Sequence, residues 1–194
     1  MTIDDDMSQS VAEHAASANP ERKNVQIRIT HGHYTDVRDC GAMVFFMPEN
    51  LEWKGPVNTD ILAHVGPKLD DYVLEHVIKP KAGNAYAIAP DIWDGPRLIV
   101  AILPVWDWGM NDEERALKRC YRQILDVAEQ EGIESLSLPA FGAGRREYPT
   151  RKAARWLMSV LREREYSRLR EVQIVCKTVE IFVDYREAVV SALG

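Results

Sequence analysis

A short glycine-rich segment carries the clearest chemical signal in this sequence. Gly142 and Gly144 flank one alanine, so the backbone there can turn tightly and adopt positive φ. The apolar run Ile133–Leu138 before it predicts a buried strand ending at Pro139, and Pro149 after it suits the first turn of a helix. A glycine loop between a strand and a helix N-terminus directs several free N–H groups at one point, an arrangement that binds phosphate.

Two arginines follow the glycines and would add fixed positive charge to such a site. Arg145 and Arg146 stand directly after Gly144, and guanidinium groups pair well with phosphate oxygens. The alternative interpretation is an exposed turn between a strand and a helix, since short glycine loops are common. We take phosphate binding as the hypothesis to test. The residues assigned to it are Gly142, Ala143, Gly144, Arg145, Arg146 and Glu147.

The size and charge of the chain narrow the classes of function. Its 194 residues are 46% hydrophobic and 28% charged, which fits one globular α/β domain with a sizeable core. The formal net charge of −6 argues against general nucleic-acid binding, because such proteins usually carry a basic excess. No apolar run approaches the roughly 20 residues of a membrane span. Three cysteines without a Cys-x-x-Cys pair, and an acidic N-terminus without an apolar core segment, predict a cytoplasmic protein.

Strand and helix patterns alternate along most of the chain. Residues 1–24 are polar, small and charged and predict a flexible lead-in, whereas residues 25–194 predict a single domain. The alternation favours an α/β fold with a largely parallel sheet. In that sheet, Ala42–Met47 predicts a central strand that is buried on both faces. The predicted helix caps are Asn58, Asp184 and a capping box from Asn111 to Glu114.

Three segments resemble the macro domain, an α/β module that binds ADP-ribose. The first runs from Gly41 to Ile61, the second from Pro104-Val-Trp106 to Arg122, and the third is Pro139-Ala-Phe-Gly-Ala-Gly144 followed by Tyr148-Pro149. The resemblance covers about residues 25–192 and implies a three-layer α/β/α sandwich around a mostly parallel, mixed six-stranded sheet. It also implies a ligand cleft at the carboxyl ends of the central strands, as in other open α/β sheets.

The resemblance further implies ligand contacts outside the glycine loop. Gly55 and Val57 belong to its first binding segment and are assigned to phosphate contact. His33 replaces the aspartate that typically holds the adenine amino group. The residues assigned to contact with a base or a ribose are His33, Tyr34 and Trp106.

Several positions depart from the family members that hydrolyse ADP-ribose esters. Those members carry Asn-Ala-Ala-Asn at the end of the second strand, where this chain has Phe45-Phe-Met-Pro48. Phe and Pro side chains cannot form a hydrogen bond to a ribose hydroxyl or to a water. Pro56 also removes a backbone N–H that could face a diphosphate. We therefore expect that the scaffold and one anion-binding loop are kept, and that the usual hydrolase activity is lost.

No other pattern indicates a metal, a cofactor or a nucleophile. His31 and His33 share one face of a strand end, but no third ligand accompanies them. No Ser-His-Asp or Cys-His arrangement is evident, so no catalytic residue is assigned. Trp53, Trp106 and Trp108 are aromatic side chains that could stack on a base.

Three functions stay open. The first is a binding module that holds a phosphate-bearing small molecule, ADP-ribose or a related nucleotide, without hydrolysing it. The second is a hydrolase of an ADP-ribose derivative or phosphoester with a relocated water-activating group. The third is a protein-interaction or structural role in which the bulky Phe45, Phe46 and Trp53 block the cleft.

Overall fold

The computed structural model describes residues 25–141 and 148–193. The lead-in of residues 1–24 and the whole predicted phosphate loop, residues 142–147, lie outside the described residues. The strands within these ranges are β1 (Gln26–His31), β2 (Ala42–Met47), β3 (Ala85–Ala87), β4 (Arg97–Ile102), β5 (Ser135–Pro139) and β6 (Glu171–Cys176). The α-helices are α1 (Pro56–Val65), α2 (Pro67–His76), α3 (Glu113–Gln130), α4 (Thr150–Leu161) and α5 (Val179–Leu193).

The strands form one sheet in the order β1-β6-β5-β2-β4-β3. All neighbouring strands pair in parallel except β3, which runs antiparallel to β4. Helices α1 and α2 pack on one face of the sheet, and α3, α4 and α5 pack on the other. The predicted three-layer sandwich with a mixed, mostly parallel six-stranded sheet is confirmed.

The central strand β2 alternates its side chains between two apolar layers. Val44 packs with the residues of α3, α4 and α5, whereas Phe45 packs with those of α1 and α2. Both side chains are fully buried, as predicted for a strand covered on both faces. No helix in the described part of the chain is long and apolar enough to cross a membrane.

Asn58 is not the N-cap of α1, because the helix begins earlier. Gly55 adopts a φ of 88° and precedes Pro56 at the first helical position, a placement that suits a residue without an N–H. Asn58 lies buried in the first turn, and its Nδ2 donates to the carbonyl oxygen of Phe46 at 2.8 Å. This hydrogen bond ties the N-terminus of α1 to the carboxyl end of β2.

Asp184 is also not a cap, since α5 begins five residues before it. Its carboxylate accepts from the Arg151 guanidinium of α4 at 2.7 Å, and Glu187 lies 3.6 Å from the same guanidinium. The positive charge of Arg151 is therefore offset by two acids of α5 and adds little to an anion site near the start of α4.

Strands β2 and β5 separate toward their carboxyl ends. Their pairing covers Ala42 with Leu136 and Met43 with Ser137, whereas β2 pairs with β4 along its whole length, from Ala42 to Met47. The sheet is thus continuous at the amino ends of these two strands and open at their carboxyl ends.

The hydroxyl of Tyr34 lies at the point where the two strands separate. It accepts a hydrogen bond from the Val44 N–H and donates one to the Ser137 carbonyl, each at 2.7 Å. Burial raises the pKa of this phenol well above its ordinary value, so the hydroxyl stays protonated and able to donate. The phenol satisfies backbone groups of β2 and β5 while it holds the strands apart.

Removing this hydroxyl tests its role. Tyr34→Phe leaves the Val44 N–H and the Ser137 carbonyl buried without a partner, which costs about 1–3 kcal/mol. We expect the free energy of unfolding, measured with urea, to fall by that amount. Tyr72→Phe is the matched control, because the Tyr72 hydroxyl forms no hydrogen bond to any described residue. Equal stability of the wild type and Tyr34→Phe would contradict the bridging role.

Candidate functional site

The opening between β2 and β5 is the candidate site, and we call it the crevice. It lies at the carboxyl ends of two central parallel strands, where open α/β sheets bind their ligands. The N-terminus of α1 borders it, because Asn58 ties that helix to Phe46 at the end of β2. Gly55 is exposed there, and Val57 is half-buried. The first N–H groups of a helix have no partner within the helix, so this border presents donors.

Tyrosine hydroxyls anchor the residues on either side of the segment 142–147. The Phe141 N–H donates to the Tyr185 hydroxyl at 2.9 Å. The Tyr148 hydroxyl donates to the carbonyl oxygen of Pro104, also at 2.9 Å. The chain therefore enters and leaves the segment 142–147 at two fixed points, one after β5 and one before α4.

An aromatic contact forms the floor of the crevice. The rings of Phe46, near the end of β2, and Phe141, after β5, lie with their centroids 4.6 Å apart. Phe141 also contacts Tyr121 and Tyr148, at centroid distances of 5.9 Å and 5.7 Å. The floor is consequently apolar, and on the border formed by α1 the free polar groups are backbone N–H groups.

Only one of the three side chains predicted to block the cleft lies in the crevice. Phe46 does so, but Phe45 points into the core between the sheet and helices α1 and α2. Trp53 stacks on Phe45 with ring centroids 5.5 Å apart, and its Nε1 donates to Asp70 at 2.6 Å. Trp53 therefore acts as packing beside α2.

The residues assigned to base or ribose contact fall in different environments. His33 is exposed just after β1. Tyr34 is buried with its hydroxyl between β2 and β5, so it shapes the crevice from inside the protein. Trp106 is half-buried and packs against Tyr148 and Trp156, at centroid distances of 5.3 Å and 6.4 Å.

The loop between β4 and α3, residues 103–112, is held by a carboxylate that the sequence interpretation missed. Glu113 is 2% exposed and accepts hydrogen bonds from the backbone N–H groups of Asp107, Gly109 and Asn111 at 2.7, 3.1 and 3.0 Å. We call this segment the β4–α3 loop. Burial alone would raise the pKa of Glu113, but hydrogen bonds from its own backbone N–H and from the three loop N–H groups outweigh burial, and the pKa lies below its ordinary value of 4.5.

The predicted capping box is wrong by one residue. Asp112 is left-handed, with a φ of 59°, and α3 begins at Glu113. Glu114, the predicted capping carboxylate, instead lies 2.8 Å from the Lys118 ammonium on the helix surface. Glu113 and Glu114 are adjacent and could each accept these hydrogen bonds. The left-handed backbone at Asp112 directs Glu113 toward the loop.

The β4–α3 loop exposes three large apolar side chains. Val105, Trp108 and Met110 are 70%, 77% and 74% exposed. The sequence signal was present, since apolar residues recur in a segment that otherwise reads as a polar loop. Single exposed apolar side chains are ordinary on a protein surface.

The described residues offer no arrangement of a nucleophile and a base. Burial raises the pKa of both Cys120 and Cys176 to about 12, which keeps them as unreactive thiols. The Asp107 carboxylate accepts from the Asn111 side chain. No group of three or more His, Cys, Asp or Glu side chains suited to a metal ion occurs in the described ranges.

Replacing Glu113 by Gln tests how the β4–α3 loop is held. The amide NH₂ of Gln must face at least one of the three N–H donors, so we expect faster hydrogen exchange, relative to intrinsic rates, at Asp107, Gly109 and Asn111. Glu114→Gln is the control and should leave these amides protected.

The lowered pKa of Glu113 also determines how the stability of the β4–α3 loop changes with pH. The stability that this carboxylate contributes is complete above pH 4.5 and is lost as the pH falls through the lower folded-state pKa. Protection of the three loop amides should therefore decrease in that acidic range in the wild type. Protection that stays constant down to full protonation would show that Glu113 does not hold the loop.

The sequence and the fold both resemble those of known proteins. The Macro domain model matches residues 47–157. A Macro domain-containing protein of Listeria monocytogenes is 26% identical over 159 residues, covering 78% of this chain and 90% of that protein. An O-acetyl-ADP-ribose deacetylase of Pantoea vagans is 28% identical over 102 residues, covering 52% of this chain and 60% of that protein.

Solved structures share the fold at low sequence identity. The Oceanobacillus iheyensis macrodomain with ADP has a TM-score of 0.74 and 21% identity, covering 84% of this chain and 89% of that one. The Trypanosoma brucei macrodomain in complex with ADP-ribose has a TM-score of 0.75 and 20% identity, covering 88% and 72%. The Macro domain model matches residues 47–157 of the 194, which is more than half of the chain, and the fold is that of the solved macrodomains. The chain therefore belongs to the Macro domain family.

Proposed function

We propose that this protein is a binding module that holds a phosphate-bearing ligand, ADP-ribose or a related nucleotide, without hydrolysing it. The observation that carries the proposal is the crevice between β2 and β5, which lies at the carboxyl edge of a macro-domain sheet. Support for the ligand class comes from relatives: related macrodomains have been solved with ADP and with ADP-ribose.

Backbone donors on two borders of the crevice would bind the phosphates. On one border, the first turn of α1 after Gly55 and Pro56 offers the N–H of Val57 and the positive end of the helix dipole. On the other, residues Gly142–Glu147 would supply converging N–H groups and the charges of Arg145 and Arg146. The anchored positions of Phe141 and Tyr148 favour this, because a loop with fixed ends loses less freedom when it binds.

The described residues of the crevice argue against ester hydrolysis. Such hydrolysis requires side chains that position and activate a water, and here β2 ends in Phe46 and Met47 and is followed by Pro48. The nearby Asn58 amide already donates to the Phe46 carbonyl, and the Glu113 carboxylate is occupied by three backbone donors. This arrangement supports binding without turnover.

The glycine loop provides the direct test of binding. Gly144→Val should abolish binding of ADP-ribose at any salt concentration, because a β-branched side chain disturbs the converging N–H groups. The double variant Arg145→Ala/Arg146→Ala should weaken binding by about 1–3 kcal/mol at low salt and less at high salt. Calorimetric titration at two salt concentrations measures both effects.

An exposed cation elsewhere supplies the control for the charge effect. Lys68 is exposed on α2, and Lys68→Ala removes one positive charge, against two in the double loop variant, without touching the loop. Wild-type affinity in both loop variants would show that residues 142–147 form only a turn. Circular dichroism of each variant separates lost binding from lost folding.

We expect negligible release of ADP-ribose from mono-ADP-ribosylated protein. Losing one positioned donor in a preorganised site commonly lowers the rate about a hundredfold or more, and both family amides are absent at Phe45 and Pro48. An active macro-domain hydrolase assayed in parallel sets the scale. Turnover comparable to that enzyme would move the assignment to the hydrolase alternative.

One observation favours a second candidate, a protein-interaction role with a closed cleft. The Phe46 and Phe141 rings, which form the floor, have their centroids only 4.6 Å apart. They therefore occupy part of the space between β2 and β5 that a ligand could enter. If this role is correct, Phe46→Ala should create binding of ADP-ribose where the wild type shows none. If the binding proposal is correct, the wild type already binds.

A further inference from the structure

The strand β3 forms one outer edge of the sheet, and part of its backbone is unpaired. The carbonyl of Asn84 and the N–H of Ile88 pair with β4 at 2.8 and 2.9 Å. Alternate residues of an antiparallel strand direct their N–H and carbonyl groups to opposite sides, so those of Ala85 and Ala87 point away from β4. These groups have no backbone partner among the described residues. The edge therefore presents two donors and two acceptors.

A groove of about 300 Å³ lies along this free edge, and we call it the edge groove. Its base is β3, and its walls are the last turns of α2 and α3, one on each face of the sheet. Ala85, Tyr86 and Ala87 are all half-buried, so the edge is recessed but open. Folded proteins usually cover or charge such an edge, because it readily pairs with another chain. The edge groove is separate from the crevice, since β2 and β4 lie between them.

The two walls of the edge groove differ in chemistry. The α2 wall is aromatic, because the rings of Tyr72 and His76 stack there with centroids 4.0 Å apart. The α3 wall passes from Val127 to the carboxylate of Glu131, directly after the helix. Glu131 pairs with the Arg97 guanidinium through Oε2, whereas its Oε1 has no partner in the described part of the chain. The groove thus offers an apolar wall and a wall that ends in a free carboxylate oxygen.

We propose that the edge groove binds an extended peptide segment of a partner protein in which apolar and basic residues alternate. An extended polypeptide pairs with the free N–H and carbonyl groups of a sheet edge and adds one strand to the sheet. Successive side chains of that strand point to opposite faces. Its apolar side chains lie against the α2 wall, and its basic side chains approach Glu131. The net charge of −6 favours the same basic partner.

The walls restrict which other chains can reach β3. A second copy of this protein would bring its own helices against the ends of α2 and α3, whereas a single extended segment needs only the roughly 5 Å between neighbouring strands. The chain before β1 enters at the opposite edge of the sheet. A segment of another protein therefore meets the least hindrance.

A synthetic heptapeptide of alternating Val and Lys, acetylated and amidated at its ends, is the probe. We expect the full chain to bind it, and to bind the same peptide with Glu in place of Lys about tenfold more weakly or less tightly still, because like charges repel. N-methylation of two adjacent central residues removes one N–H on each side of the strand. That peptide should not bind in either direction.

Variants of the protein test the two walls and the edge separately. Ala87→Pro removes an outward N–H and keeps the bonds to β4, since proline is tolerated on an edge strand; binding should weaken roughly 2- to 10-fold, as for one lost hydrogen bond. Ala87→Ser keeps the N–H and is the matched control. Glu131→Gln should weaken binding of the Lys peptide but not of a peptide with Thr in place of Lys. The N-methylated peptide tests the same pairing in the wild type, whether or not Ala87→Pro folds.

Hydrogen exchange at the Ala85 and Ala87 amides identifies the occupant. In the free protein these amides should exchange rapidly at every protein concentration, and the Val-Lys peptide should slow them. Protection in the dilute free protein would assign the edge to a segment of this chain, and protection that grows with protein concentration would assign it to a second copy. Either result, absent binding of the Val-Lys peptide, or equal affinity for the N-methylated peptide overturns the proposal. ADP-ribose binding should be unchanged in Ala87→Pro, which keeps this test distinct from that of the proposed function.

Discussion

The candidate site exists because one tyrosine hydroxyl replaces a strand-to-strand contact. Adjacent parallel strands normally satisfy each other's backbone groups along their full length, and an opening between them would leave buried N–H and carbonyl groups unpaired. Tyr34 resolves this conflict, since its hydroxyl both accepts from Val44 and donates to Ser137. The sheet can therefore open at the carboxyl ends of β2 and β5 without the cost of unpaired polar groups.

The limits of the sequence interpretation follow from what a local pattern contains. Apolar runs and alternation were enough for the strands, because they report burial directly. The role of Tyr34 was hidden, since it depends on a contact between residues about a hundred positions apart. Capping at Asn58 and Glu114 was wrong for a different reason: Pro56 starts α1 early, and a left-handed Asp112 turns Glu113 toward the loop. The local backbone conformation, at Gly55 and at Asp112, set both helix starts.

The floor of the crevice is apolar, whereas its borders are polar. Phe46 and Phe141 make an apolar floor, while the borders present backbone donors from α1 and, under the proposed function, from the glycine loop. An apolar floor strengthens electrostatic contacts above it, because it lowers the local dielectric. The rings of Phe46 and Phe141 also cannot hold a water by a side-chain hydrogen bond. Under the proposed function, phosphate binding and the loss of hydrolysis would both follow from this apolar floor.

Two buried polar side chains hold the borders of the crevice in place before any ligand arrives. Asn58 fixes the start of α1 to β2, and Glu113 fixes three N–H groups of the β4–α3 loop. Glu113 also lies at the N-terminus of α3, where the helix dipole favours a negative charge. A border that is already ordered loses little conformational freedom on binding, so more of each contact appears as affinity.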